Sequence, residues 1–283
     1  VAEARGALDT PAHRRSVALR CRERPSDDHA LHAASRMPPI LQVRQLYKFF
    51  DKRQGAAPVL RDVNFSVEPG EFVCIMGPSG SGKSTLLHML SGLDAPTAGS
   101  IELAGRNLGE LSDGDRTLLR RAQIGYVFQF FNLMPNLNLL ENVGLPLAIQ
   151  GRHPGDHTAT IRGLLSRLGL EGKEHQFPHQ LSGGEMQRTS IARALAGGQP
   201  LLLCDEPTGN LSQKAGAEVM AFLRQICDQD HKTVVLVTHN PRDATFADRV
   251  LFLVDGALDQ EHALHGPKLA VERIHEQLAA LHI

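Results

Sequence analysis

Residues 72–85, FVCIMGPSGSGKST, constrain the fold more than any other stretch of the chain. Five apolar residues without a polar break predict a strand buried on both faces. The loop that follows satisfies G-x-x-x-x-G-K-[ST], and Ser84 to Leu93 predicts a helix stopped near Asp94 and Pro96. A strand, a glycine-rich loop and a helix in that order demand an α/β fold with a mostly parallel sheet and ligands at the carboxyl ends of its strands. The loop chemistry is that of a nucleoside triphosphate site. Its glycines let several amides turn inward on phosphate, Lys83 adds a point charge, and the Ser84 hydroxyl can ligate Mg²⁺. The whole loop, Gly77, Pro78, Ser79, Gly80, Ser81, Gly82, Lys83, Ser84 and Thr85, is therefore assigned to the nucleotide.

Two other apolar runs, LLLCD and TVVLVTH, read as buried strands with AGAEVMAFLRQICDQD as the helix between them. The first ends in Asp205, placed to hold the metal through water. Glu206, one residue further out, is placed to orient and deprotonate an attacking water. The second ends in His239, in reach of a γ-phosphate, and IGYVFQ ends in Gln129. An Asp-Glu pair at a strand end is by itself an ordinary solvated turn, and a lone histidine or glutamine says little. The loop upstream is what changes their reading. A second anion-binding turn, LSGGE from Leu181, runs into a helical stretch but has neither a strand directly before it nor a lysine.

The remaining organisation is coarser. LQVRQLYKFF, VLRDVNFSV and IELAG read as further strands, and about 131–180 as an all-helical subdomain. Val271, Ile274, Leu278 and Leu281 stand at helical spacing in a tail assigned to 261–283. Residues 1–36 are Arg-rich and poor in patterned apolar residues. Disorder is expected there, with folded sequence beginning at Met37 and the extension read as an artefact of start-site choice. A formal charge of -1 gives no electrostatic case for nucleic acid as the main partner. Cys74 and Cys204 sit inside apolar runs and read as buried reduced thiols, which fits a cytosolic chain. No apolar run approaches the roughly 18 residues of a membrane span, so a membrane role requires another chain to cross it.

Taken in order, GPSGSGKST, Gln129, LSGGE, LLLCDE and His239 resemble the nucleotide-binding subunit of ATP-binding cassette (ABC) transporters over about residues 40 to 258. The resemblance implies an ABC-type P-loop fold over 37–260: a mostly parallel core sheet, an antiparallel β subdomain and a helical subdomain. It implies ATP and Mg²⁺ as cofactors, with Ser84, Gln129 and Asp205 organising the metal, Glu206 as general base and His239 completing the γ-phosphate contacts. Phe50 would stack on adenine, with Tyr47 as the alternative. Ser182, Gly183 and Gly184 would close the ATP site of a second copy, which makes the working unit a dimer. Transmembrane permease subunits are the implied partners, at the cytoplasmic face of the inner membrane. Phe131, Leu133, Met134 and Leu137 are the implied docking groove.

The phrases GYVFQFFNLMPNLNLLENVGLPL and CDEPTGNL look like the lipoprotein-release and macrolide-export subfamily, and so imply export or extraction of lipoprotein-like or hydrophobic substrates. An importer ATPase, and a soluble non-transport ATPase of the same type, are the alternatives. Ser212 departs from the aspartate the family generally has there, which leaves coupling between two ATP sites open and raises a third reading, a regulatory cassette without turnover.

Overall fold

A computed structural model describes residues 38–50, 57–266 and 269–283. The expectations for 1–36 and for the start at Met37 lie outside the described residues.

The buried strands form one sheet. β3 (Phe72–Met76), β6 (Ile124–Val127), β7 (Leu201–Asp205), β8 (Thr233–Thr238), β9 (Arg249–Val254) and β10 (Ala257–His265) lie in the order β10-β9-β3-β8-β7-β6. All neighbours are parallel except β9 and β10. Side chains alternate across a strand, and the two faces of the sheet feed two cores. Phe72, Cys74 and Met76 face one, with Cys204, Leu236 and residues of the helical segments; Val73 and Ile75 face the other, with Leu203, Val235 and Val237. Burial on both faces is why these strands carry unbroken apolar runs.

A second, antiparallel sheet has the order β2-β1-β4-β5, from β1 (Leu41–Lys48), β2 (Leu60–Val67), β4 (Ala98–Leu103) and β5 (Arg106–Asn107). One of its faces is buried, hence the partial alternation in LQVRQLYK. It closes the second core, with α1 (Lys83–Leu90) between it and the parallel sheet. That helix is shorter than its sequence suggests, because Gly92 turns the chain into the left-handed region (φ 66°) before Leu93 can join. α2 (Asp113–Gln123) has no counterpart in the sequence reading: it is strongly polar, only Leu119 is buried, and so no apolar stripe announces it.

The helical segment holds α3 (Leu139–Ile149) and α4 (Thr158–Arg167), followed by α5 (Gly183–Leu195) and, after β7, α6 (Gln213–Asp230). Leu139, Val143, Leu147, Ile161 and Leu165 share one core with Ile191 and Leu195 of α5. The boundary expected at 260 runs through a strand. Residues 261–265 belong to β10, where Leu264 pairs with Val250 and His265 with Arg249. An edge strand needs no continuous apolar pattern, and ALDQEHALH carries none, so the helical tail read from 261 begins only at α8 (Val271–Ala280). Ile274 is buried there, and Leu278 and Leu281 pack on the same core. Short α7 (Pro241–Ala244) lies against α8. Cys74, Cys204 and Cys227 are buried free thiols.

One buried polar side chain organises the loop that enters the helical segment. Asn142 of α3 accepts from Met134 N–H at 2.7 Å and donates to the carbonyls of Met134, Leu137 and Asn138 at 3.1, 2.8 and 3.1 Å. Asn142→Leu keeps the branched shape of the side chain but strands these groups, and is expected to cost about 1–3 kcal/mol in the free energy of unfolding, read from urea denaturation.

Candidate functional site

The glycine-rich loop leaves β3 at Gly77, where a Cβ would come within 2.2 Å of the Leu253 carbonyl, so only glycine lets the chain pass. Gly80 and Gly82 have φ of 84° and 101°, and Gly82 delivers the chain into α1. These left-handed turns curl the loop back on itself. Pro78 O accepts from Ser81 N–H at 3.2 Å, and the Lys83 ammonium donates to the carbonyls of Gly77 and Pro78 at 2.9 and 2.8 Å. Burial lowers the Lys83 pKa, against the pull of Glu206 and Asp205. The lysine is thereby fixed by its own loop, with a third N–H left over.

A cavity of about 360 Å³ opens beside it, lined by Val59, Ser79, Gly80, Gly82, Lys83, Ser84, Thr85, Gln129 and Glu206. The Ser84 hydroxyl donates to Asp205 Oδ1 at 3.1 Å, across 121 residues of sequence. Burial raises the Asp205 carboxyl, opposed by that hydrogen bond and reinforced by Glu206. Hydroxyl, carboxylate and the amide of Gln129 make a set of hard oxygen donors, which is what Mg²⁺ takes. The residues present fit the metal the sequence implies.

Glu206 sits just past the end of β7 in a left-handed conformation (φ 43°), a backbone state costly for a side chain of its size. Its N–H donates to Val237 O at 2.9 Å and its carbonyl accepts from Gly209 N–H at 3.0 Å, which holds the strained turn. Its Oε1 lies 3.0 Å from His239 Nδ1. A second cavity, again about 360 Å³, is lined by Glu206, Thr208, Gly209, Leu211, Thr238, His239, Asn240 and Pro241, so Glu206 stands between the two. Glu206 and His239 are brought together, as are Lys83, Ser84, Gln129 and Asp205.

Phe50, Ser182, Gly183 and Gly184 line neither cavity. Phe50 lies two residues past the end of β1 and is 66% exposed; Tyr47 is half-buried. Ser182 caps α5, with its hydroxyl bonded to Glu185 Oε2 at 2.7 Å and Glu185 reaching back to Ser182 N–H at 2.8 Å. This capping box leaves the first amides of α5, those of Gly183 and Gly184, with no acceptor inside the helix. Ser212 caps α6, accepting from Ala215 N–H at 3.4 Å.

Several organising residues carry no signal in the sequence. Asp243, buried in α7, accepts from the Thr208 hydroxyl and from Thr238 Oγ1 at 3.3 Å and Asn240 Nδ2 at 3.1 Å, tying the turn after Glu206 to the turn around His239. Arg193 of α5 donates to the carbonyls of Phe131 and Asn132 at 2.9 and 2.5 Å, and Gln187 to that of Phe128 at 3.4 Å. The segment around Gln129 is thus strapped to the helix that begins at Ser182.

The family model described as ABC transporter matches residues 60–209. The lipoprotein-releasing system ATP-binding protein LolD 2 of Caulobacter vibrioides is 45% identical over 78% of this chain and 97% of its own length. The macrolide export ATP-binding/permease protein MacB of Hahella chejuensis is 43% identical over 78% of this chain, which spans only 34% of that longer protein. Among solved structures, a dimeric post-hydrolysis state of the ATP-binding cassette MJ0796 of Methanocaldococcus jannaschii, bound to ADP and Pi, superposes with a TM-score of 0.72 at 39% identity, over 80% of this chain and 98% of that one.

The cap at Ser182 also predicts a pH dependence. The Lys173 ammonium, and then the N–H and hydroxyl of Ser182, hold the Glu185 carboxyl down at about 2. A depressed carboxylate contributes stability above its ordinary pKa and loses it as pH falls through the folded value. Glu185→Gln is expected to cost about 1 kcal/mol at neutral pH. In denaturation curves across pH, the gap to the parent chain should persist down to about 4.5 and close toward about 2.

Proposed function

The chain belongs to the ABC transporter family, and from that premise we propose a mechanism for it as an ATP-hydrolysing subunit that works in pairs and drives a membrane permease partner. The observation that carries the mechanism is the division of labour on one chain. Lys83, Ser84, Gln129, Glu206 and His239 line two cavities that share Glu206, and Asp205 is bonded to Ser84, while the turn Ser182–Gly184 lines neither cavity. A helix N-terminus with free amides favours anionic groups, and this one needs an anion it does not hold itself. Two copies face to face satisfy it: each binds ATP through its own glycine-rich loop and closes the partner's site with Ser182, Gly183 and Gly184.

The loop amides and Lys83 bind the β- and γ-phosphates, with Ser79, Gly80, Gly82 and Thr85 lining the same cavity. Ser84, Asp205 and Gln129 would hold Mg²⁺, which neutralises charge on the phosphate oxygens when bound. Glu206 takes a proton from the attacking water. His239 holds one of its carboxylate oxygens, leaving the other for that water. The strained backbone at Glu206, pinned on both sides, keeps the carboxylate aimed without cost at the moment of reaction.

Transmission to the permease is read from a cleft of about 410 Å³ with Leu93, Tyr126, Phe128, Leu145, Ile149 and Arg193 in its lining. Leu93 and Ile149 are exposed apolar residues, and Arg193 is the side chain that grips the segment after Gln129. A helix seated in the cleft would therefore press on the strap that leads to the phosphates. Phe131, Leu133, Met134 and Leu137, the groove implied by the resemblance, do not line this cleft. Docking is assigned to the cleft instead.

Export or extraction of lipoprotein-like or hydrophobic substrates is the reading that the names of the relatives support. The place of action is the cytoplasmic face of the membrane. Among the described residues no helix is long and apolar enough to cross it, and the permease supplies that part. Ser212 retains the helix cap but not the charge of an aspartate, so communication across the dimer is expected to be weaker than a carboxylate would make it.

Glu206→Gln binds ATP but cannot activate water. Turnover should fall by about 10²–10⁴-fold, and with ATP and Mg²⁺ the variant should elute as a dimer in size-exclusion chromatography. A variant that stays monomeric at saturating ATP would rule out the paired arrangement. Lys83→Ala should instead weaken ATP binding itself, by about tenfold or more in calorimetry.

A further inference from the structure

The end of β1 is clasped to the turn that follows α1. Lys48 Nζ donates to Asp94 Oδ2 at 2.7 Å and to the Ala95 carbonyl at 2.9 Å. Phe49 N–H donates to Thr97 Oγ1 at 3.1 Å, and Thr97 N–H to the Tyr47 carbonyl at 2.9 Å. Lys48 is only 8% exposed, a depth lysine seldom reaches unless it is held by partners. Its ammonium lies over the ring of Phe50, 5.1 Å from the centroid. That is within cation–π distance, and the ring is otherwise largely open to solvent.

The other end of the same helix is the phosphate cradle. α1 starts at Lys83 and Ser84, and the chain reaches Asp94 four residues beyond its end at Leu90. Eight helical residues span about 12 Å and do not stretch. Lys48 therefore sets an exposed aromatic ring at a fixed distance from the groups that bind phosphate. An exposed ring just past the end of a strand would otherwise sample its rotamers freely.

We propose that Lys48 is a positioning residue for the nucleobase, holding one face of Phe50 so that the other receives the adenine of the ATP whose phosphates lie against Lys83. The proposal rests on the reading of Phe50 as the base platform. Lys48 touches neither base nor phosphate; it acts through Phe50 and through Asp94.

Calorimetric titration of the full chain with ATP and, separately, with inorganic tripolyphosphate tests it. Phe50→Ala and Lys48→Met are each expected to weaken ATP binding about five- to tenfold while leaving tripolyphosphate affinity within about twofold. The double variant should bind ATP no more weakly than Phe50→Ala alone, because both act on one platform. Asp94→Asn, which slackens the lysine's tether without removing its charge, should give a smaller loss confined to ATP, and carries the test if Lys48→Met does not fold. Unchanged ATP affinity in Phe50→Ala would overturn the base-platform reading and the proposal with it. A loss in Phe50→Ala with none in the Lys48 and Asp94 variants would overturn the proposal alone, as would an equal loss for ATP and tripolyphosphate in those variants.

Discussion

A parallel sheet covered on both faces has no room for polar side chains except where its strands stop. β3, β7 and β8 obey this: FVCIM and TVVLVT are buried throughout, and LLLCD is buried up to its last residue. The residues assigned to phosphate and water, from Gly77 through Asp205 and Glu206 to His239, lie at or directly after the ends of those runs. The core thus dictates where the chemistry lies. Three strands ending side by side bring residues more than 150 positions apart in sequence into one small volume.

The groups at that edge are held by bonds that cross between elements. Ser84 of α1 reaches Asp205 of β7. Asp243 of α7 gathers Thr208, Thr238 and Asn240 into one buried cluster. Burial without these partners would be costly, because a desolvated carboxylate must recover its lost hydration through hydrogen bonds. The same bonds mean that a displacement of the turn after Glu206 is felt by the turn around His239. At the other side, Arg193 and Gln187 bond α5 to the segment of Gln129. The turn after Glu206 is therefore tied to the turn around His239, and the lining of the cleft to the segment of Gln129 through the helix capped by Ser182.

Legibility followed the physics of each residue. Lys83, Ser84, Asp205, Glu206 and His239 could be found in the letters because apolar runs of strand length precede them or their loop and mark where the chain must emerge. Lys48, Asn142, Arg193 and Asp243 could not. Each is a polar residue whose role is a contact with a segment distant in sequence or with backbone carbonyls, and neither leaves a periodic trace. α2 escaped for a related reason: a helix with one buried residue needs no stripe. β10 escaped because an edge strand is free to be polar.

Sequence alone determined the strand-loop-helix unit around GPSGSGKST, and the order of its motifs carried the resemblance that implied the family and a second copy. The first of these depends on local chemistry: the glycines of the loop and the apolar run before them. Tertiary structure decided the rest. It set Phe50 in solvent over the Lys48 ammonium, turned Glu206 into a strained conformation beside His239, and located the cleft beside Arg193. Such outcomes depend on distances between elements, which are set by the packing of the two cores and which no short stretch of residues encodes.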